Sequence, residues 1–190
     1  PIISLSETLC EREVDERSYS LMHQGMQTIH RRSKGLLEFV ENYRKLTRLP
    51  APVRRPVLLT ELLMDLRKLF PEEYIHIESP AEERTLQIDR TQIEQVLINL
   101  IKNAREACAK CEHPLIEVKV LPAQSWQCRI TVSDNGEGIL PEVLDKVFVP
   151  FFTTKSGGQG IGLSLCKQIM NRHGGNITVQ SAVGQGSCFT

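Results

Sequence analysis

The chain has 190 residues, a length that suits one moderate domain or one domain with a smaller appendage. Its 41% hydrophobic residues can build a core, and 23 Lys and Arg balance 23 Asp and Glu, so a net charge of zero leaves no footprint for nucleic acid or an anionic membrane. No apolar run approaches the roughly 20 residues of a membrane helix and no basic–apolar–small leader opens the chain, so a cytoplasmic piece without direct membrane contact is expected.

Residues 1–49 carry no strand signal and read as helix, turn, helix. Ile2, Leu5 and Leu9 share one face of a first helix over 2–13. In the second, Met22, Met26, Ile29, Ser33, Leu36, Val40, Tyr43 and Thr47 recur in alternating steps of four and three, a heptad seam. Two short helices cannot bury such a seam alone, so a second copy completing a four-helix bundle is expected, the alternative being a hairpin packed only on its own domain. Pro50, Pro52 and Pro56 then stop the helix and make residues 50–56 a stiff linker and domain boundary.

From residue 57 to 190 helix and strand patterns alternate. Residues 58–70 predict a helix with Leu59, Leu62, Leu63, Leu66 and Leu69 on one stripe. Residues 74–78 and 85–89 alternate like half-buried strands, and 91–110 predict a long helix. Strands follow at 115–121, 127–133, 176–182 and 187–190. Helices interspersed among antiparallel strands imply an α+β class, a two-layer sandwich of sheet and helices. Of six cysteines only Cys108 and Cys111 form a C-x-x-C pair, near His113, and no second pair stands at zinc spacing. They read as small side chains ending the long helix, and dispersed thiols fit a reducing compartment.

Four clusters carry chemistry. Asn99 and Asn103 are four apart on the long helix, on a face otherwise apolar through Val96, Leu100, Ala104 and Ala107. Two inward amides either bond to neighbouring backbone or hold a divalent metal and phosphate oxygens. Asp134-Asn135-Gly136-Glu137-Gly138-Ile139 follows a strand. It is either a plain turn or a carboxylate placed to accept from an exocyclic amine, with glycines admitting close approach. Gly157-Gly158-Gln159-Gly160-Ile161-Gly162-Leu163 leads into a helix over 164–172 whose N-terminal amides can hold phosphates. It is neither a GxxxxGK[ST] loop nor a glycine loop after a strand. Upstream, Phe148-Val149-Pro150-Phe151-Phe152-Thr153-Thr154-Lys155 reads as a lid anchored by aromatics at one end. His173-Gly174-Gly175-Asn176 and Gly184-Gln185-Gly186-Ser187 have ordinary readings as a helix cap and a tight turn.

In this order the clusters strongly resemble the catalytic domain of sensor histidine kinases, within the GHKL ATPases of Bergerat-type fold. Asn99 to Asn103 matches the family's N box, Asp134 to Gly138 the G1 box, Phe148 to Phe151 the F box and Gly158 to Gly162 the G2 box. Gly184 to Ser187 falls at the last glycine motif, and the hairpin with its Leu-Pro-Ala-Pro linker resembles the nitrogen-regulation branch. The resemblance implies ATP and Mg²⁺ as ligands, a homodimer through the hairpin, and a response regulator receiver domain as partner. It makes Asn103 the Mg²⁺ ligand, sets Asn99 beside the phosphates, and has Asp134 read the adenine amine with Ser187. Gly136 and Gly138 shape that corner, and Ile139, Ile161 and Leu163 surround the base. Thr154, Lys155, Gly158, Gly160 and Gly162 belong to the triphosphate end under the lid.

Two departures qualify the resemblance. Where water-activating members of the fold carry a glutamate, this chain has Asn99, and an amide is no general base, so efficient ATP hydrolysis is not expected. The family's acceptor histidine precedes an acid, but His23 precedes Gln24 and His30 precedes Arg31. The acceptor is therefore expected upstream of Pro1, and the chain alone is not expected to phosphorylate itself. The competing readings are an ATPase or clamp of the topoisomerase kind and a nucleotide-binding interaction module without phosphotransfer.

Overall fold

The structure, a computed structural model, describes residues 2–10, 19–80, 82–121, 127–155 and 158–190. It divides into two compact units, Pro1–Arg48 and Leu49–Thr190. Among the described residues no helix is long and apolar enough to cross a membrane.

The first unit is a hairpin of α1 (Ile2–Cys10) and α2 (Tyr19–Thr47). The expected end of the first helix at 13 lies outside the described residues. Leu9 packs where a Cβ at Gly25 would stand 2.7 Å away, so the two helices approach closely at that glycine. Within one chain the heptad seam stays largely unfilled: Met26, Leu36, Val40 and Tyr43 are 63%, 57%, 46% and 52% exposed.

The second unit is an α+β sandwich. β1 (Arg55–Leu58) and β3 (Thr85–Ile88) form a short antiparallel ribbon. The larger sheet runs in the order β2 (Ile75–Ile77), β4 (Ile116–Leu121), β5 (Arg129–Asp134), β7 (Gly186–Phe189), β6 (Val179–Ala182). The expectation of antiparallel strands fails at one place: β2 pairs parallel to β4, Ile75 beside Ile116, because β3 and α4 intervene and return the chain in the same direction.

The helical layer is α3 (Leu59–Leu69), α4 (Arg90–Ala107) and α6 (Gly162–Arg172), with a one-turn α5 (Pro141–Leu144) beside β6. Leu62, Leu63 and Leu66 of α3 and Ile101 of α4 meet Ile116, Val118 and Val132 of the sheet, all at most 1% exposed. Leu69 departs from the predicted stripe and is 54% exposed, because α3 ends there and turns away at Phe70. α4 starts where the Asp89 carboxylate accepts the Gln92 N–H at 3.1 Å, a helix N-cap.

The predicted linker is not a free spacer. Val53 N–H donates to Asp89 Oδ2 at 3.0 Å, Gln92 Nε2 donates to the Pro50 carbonyl at 3.1 Å, and Arg172 bonds to the Leu49 carbonyl. Arg55 and Pro56 already belong to β1, and Pro56 is accommodated because this ribbon has only two strands, leaving edges where a missing N–H costs nothing. His173, just past α6, joins the same junction. Its Nε2 accepts the Asp89 N–H at 3.1 Å, which leaves Nδ1 to donate to the Ile169 carbonyl at 2.9 Å.

Candidate nucleotide site

The last residue of β5 and the second of β7 face one another: Asp134 pairs with Ser187 in register and the two are 9% and 7% exposed. A carboxylate so placed needs donors. Gly136 N–H reaches Asp134 Oδ1 at 2.9 Å. Burial pushes the Asp134 carboxyl above its usual range, while the Gly136 and Ser187 N–H groups and the Lys155 ammonium pull the other way. Ser181 orders the neighbouring hydroxyl: its Oγ donates to the Gly186 carbonyl at 2.8 Å and accepts the Ile139 N–H at 2.8 Å. With that proton committed, Ser187 Oγ donates to Ser181 Oγ across 3.0 Å and keeps its lone pairs for another partner.

The glycine turn after β5 is fastened on both sides. Glu137 N–H donates to Ala107 at the end of α4, and the Glu137 carbonyl accepts from Gly184 in the β6–β7 turn. Gly138 has φ +70°, and a Cβ there would lie 2.1 Å from the Ala182 carbonyl oxygen, so glycine is required by conformation and by space. Gly136 serves packing. A Cβ on it would meet the Ala107 backbone at 2.6 Å.

The second half of the site comes from the segment before α6. Phe151, the lone non-glycine residue with positive φ among those described, donates its N–H to the Gly160 carbonyl at 2.8 Å, closing the base of the lid. Lys155 N–H folds back to Thr153 Oγ1 at 3.1 Å, and its ammonium pairs with the Glu106 carboxylate of α4. Helix α6 opens at Gly162 with no side chain capping its first amides, so these donors face the space in front of them.

These elements enclose a cavity of about 720 Å³, within the ~300–1,000 Å³ of small-molecule sites. Asn103, Asp134, Gly138, Ile139, Thr154, Lys155, Gly158, Gly160, Ile161, Gly162, Leu163 and Ser187, all singled out in the sequence, line it. Gly157 lies outside the described residues. Asn99 and Gly136 do not line the cavity. Asn99 Oδ1 accepts from Gln95 Nε2 at 3.3 Å and its Nδ2 faces Cys166 Sγ at 3.8 Å, one turn before Asn103 and against the start of α6.

Asn135 faces away from the cavity as well. Its Oδ1 accepts the Leu115 N–H at 2.8 Å and its Nδ2 donates to the His113 carbonyl at 2.8 Å, pinning the 108–115 loop. Cys108 and Cys111 sit beside it as thiols, and burial pushes Cys108 up to about 11, the reverse of what a metal-binding or redox thiolate needs.

Glu106, Leu140, Val143, Val147 and Val183 line the cavity without having been singled out. Glu106 stands three residues after Asn103, so helical spacing contained it; Val143 and Val147, four apart behind Pro141, repeat the same signal. Val183 arrives only through tertiary packing. The donor set suits a nucleotide: an apolar slot, a buried carboxylate at one end, and free helix amides with a lysine at the other. It also suits Mg²⁺, since Asn103 offers an amide oxygen to which no described residue donates, and Mg²⁺ takes its remaining ligands from water and phosphate. Among the described residues no three His, Cys, Asp or Glu side chains converge on a metal position, so a metal here would share its ligands with the nucleotide.

Comparison with known proteins agrees with this geometry. Residues 88–190 match the model of the histidine kinase-, DNA gyrase B- and HSP90-like ATPases. An NtrY-like sensor histidine kinase of Rickettsia conorii is 31% identical over 98% of this chain and 32% of its own length. The chain therefore spans about a third of that curated relative. Among solved structures, the catalytic domain of histidine kinase ThkA is 33% identical with a TM-score of 0.59, covering 72% of this chain and 91% of that domain. ThkA in complex with the response regulator TrrA matches at 26% identity and a TM-score of 0.66, over 99% of this chain and 55% of that one.

Proposed function

Because the chain belongs to the histidine kinase-, DNA gyrase B- and HSP90-like ATPases and, within them, to the sensor histidine kinases, we propose that its cavity holds Mg-ATP for phosphoryl transfer to a histidine and onward to a response regulator. The observation that carries this reading is the buried Asp134 carboxylate in a cavity whose other end meets the uncapped start of α6.

Asp134 accepts from the adenine exocyclic amine, and Ser187 takes part through the lone pairs that Ser181 leaves it. Ile139, Ile161 and Leu163 flank the base with apolar surface. Lys155, Gly158 and the amides at Gly160 and Gly162 receive the phosphates, and Asn103 contributes an oxygen to the metal. A metal bound there would screen phosphate charge and orient the γ-phosphoryl group for in-line attack. Asn99 supplies no general base, which favours transfer to a histidine over hydrolysis.

Residues 57–190 are read as the catalytic domain, entered through residues 50–56, the last two of which already begin β1. Residues 1–49 form part of the dimerising hairpin, whose exposed Met26, Leu36, Val40 and Tyr43 fit a second copy in a cytoplasmic homodimer. His23 and His30 are not the acceptors. Neither is followed by an acid, and His23 Nε2 lies 2.8 Å from the Gln27 side-chain amide, which occupies the nitrogen a nucleophile would use.

The test pairs calorimetry with labelling. The chain binds ATP in the presence of Mg²⁺ and takes up no label from γ-labelled ATP by itself. Absence of binding at millimolar nucleotide would overturn the assignment, and phosphohistidine at His23 or His30 would overturn the statement about acceptors.

A further inference from the structure

The walls of a site for a tetra-anionic ligand are themselves anionic. Among the described residues lining the cavity, Glu106, Asp134 and Glu137 bring three carboxylates against the single ammonium of Lys155. That ammonium, the natural partner of a phosphate, is already engaged by Glu106. Glu106 projects from α4 three residues after Asn103 and lines the cavity with it, so the metal-facing amide and the acid share one face. Both partners of the pair remain accessible, with side chains 42% and 59% exposed, so the pair can exchange partners without breaking the fold.

We propose that Glu106 is a specificity-determining residue that makes nucleotide binding conditional on a divalent cation. It holds the lid's Lys155 as counter-ion before the nucleotide arrives, and opposes phosphates that come without a metal. The inference rests on the Mg-ATP reading of the cavity and adds a residue and a rule to it. Phosphate without metal must displace Glu106 from Lys155 and then face an uncompensated carboxylate. Phosphate with a metal brings the cation that Glu106 can face once Lys155 has moved to the phosphates. Opposite unit charges about 4 Å apart at a protein surface attract strongly enough to change selectivity several-fold or more.

The test measures ATP affinity by calorimetry for the complete chain and for Glu106→Gln, each with excess Mg²⁺ and with EDTA. In the unsubstituted chain Mg²⁺ tightens binding strongly. In Glu106→Gln metal-free ATP binds about 5- to 10-fold tighter, Mg-ATP changes less than about threefold, and the ratio of the two affinities shrinks accordingly. Glu106→Gln combined with Lys155→Met shows non-additive affinities, because the two side chains share one interaction. Circular dichroism melting of each variant verifies that the fold is retained, and Glu106→Ala replaces Glu106→Gln if the amide finds a new partner. An unchanged metal dependence in Glu106→Gln, with Mg-ATP still bound, overturns this proposal and leaves the ATP reading standing. No binding of Mg-ATP by either protein overturns both.

Discussion

Asp134 and Lys155 line the same cavity but are held by different means. Asp134 ends a central strand, is 9% exposed, and has its carboxylate bonded to Gly136 one turn of backbone away. Lys155 stands on a loop, is 42% exposed at its side chain, and its ammonium is held by an ion pair with Glu106. The base end is therefore built by the fold, with its donors and acceptors fixed before any ligand arrives. In the proposed Mg-ATP reading the phosphate end combines Lys155, which would exchange Glu106 for phosphate, with a segment fastened at its base by Phe151 and Gly160. Affinity for the base is preorganised, while discrimination among phosphate states resides where the structure can respond.

Breaking the built end has the largest expected effect. Asp134→Ala removes a charge-assisted hydrogen bond of ~1.5–3 kcal/mol and weakens Mg-ATP binding by roughly 10- to 150-fold in calorimetry. Undermining its platform costs stability instead. Ile116 is fully buried and pairs with Asp134 across β4 and β5, so Ile116→Ala lowers unfolding free energy by ~2–5 kcal/mol in denaturant titration.

The moving end responds in the opposite sense. Lys155→Ala leaves stability within about 0.5 kcal/mol, because an exposed pair contributes little, yet weakens Mg-ATP binding several-fold, and less so at high salt. A lid residue that stabilised the fold as much as Ile116 would erase the contrast.

The smallest effect is one of pH. Burial raises the Asp134 carboxyl above its unfolded value of 3.8, so the folded state takes up a proton before the unfolded chain does. As pH falls through that raised value toward 3.8, Asp134 contributes increasing stability and loses its capacity to accept from the amine. ATP affinity therefore drops at a pH above the ordinary aspartate range while the domain does not unfold through this residue. In Asp134→Asn that titration is absent from both readouts.

Sequence reading reached the two ends unequally for the same physical reason. Asp134 is legible because a strand end followed by two close glycines allows a placed carboxylate as well as a plain turn, and the order of the glycine motifs favours the first. The glycines before α6 likewise announced a helix start able to take phosphates. What stayed hidden depended on contacts distant in sequence. Pro50, Pro52 and Pro56 predict a stiff linker, but not that Asp89 and Gln92 would hydrogen-bond to the backbone of Val53 and Pro50. The parallel pairing of β2 with β4 follows from the path of the chain, which strand periodicity does not encode. Asn99 and Asn103 looked equivalent at helical spacing, yet only Asn103 lines the cavity, since Gln95 and Cys166 hold the other. Glu106 shares that helical spacing, but its place in the site depends on the pairing with Lys155, 49 residues away in sequence.

Hydrogen–deuterium exchange with and without Mg-ADP tests the division most directly. The amides at Asp134 and Gly136 and along β7 should be protected before nucleotide and change little on its addition. Those at Thr153 to Lys155 and Gly158 to Gly160 should be weakly protected alone and gain protection only when nucleotide and Mg²⁺ are both present. A lid equally protected in both states, or a base end that becomes protected only with ligand, would contradict the account.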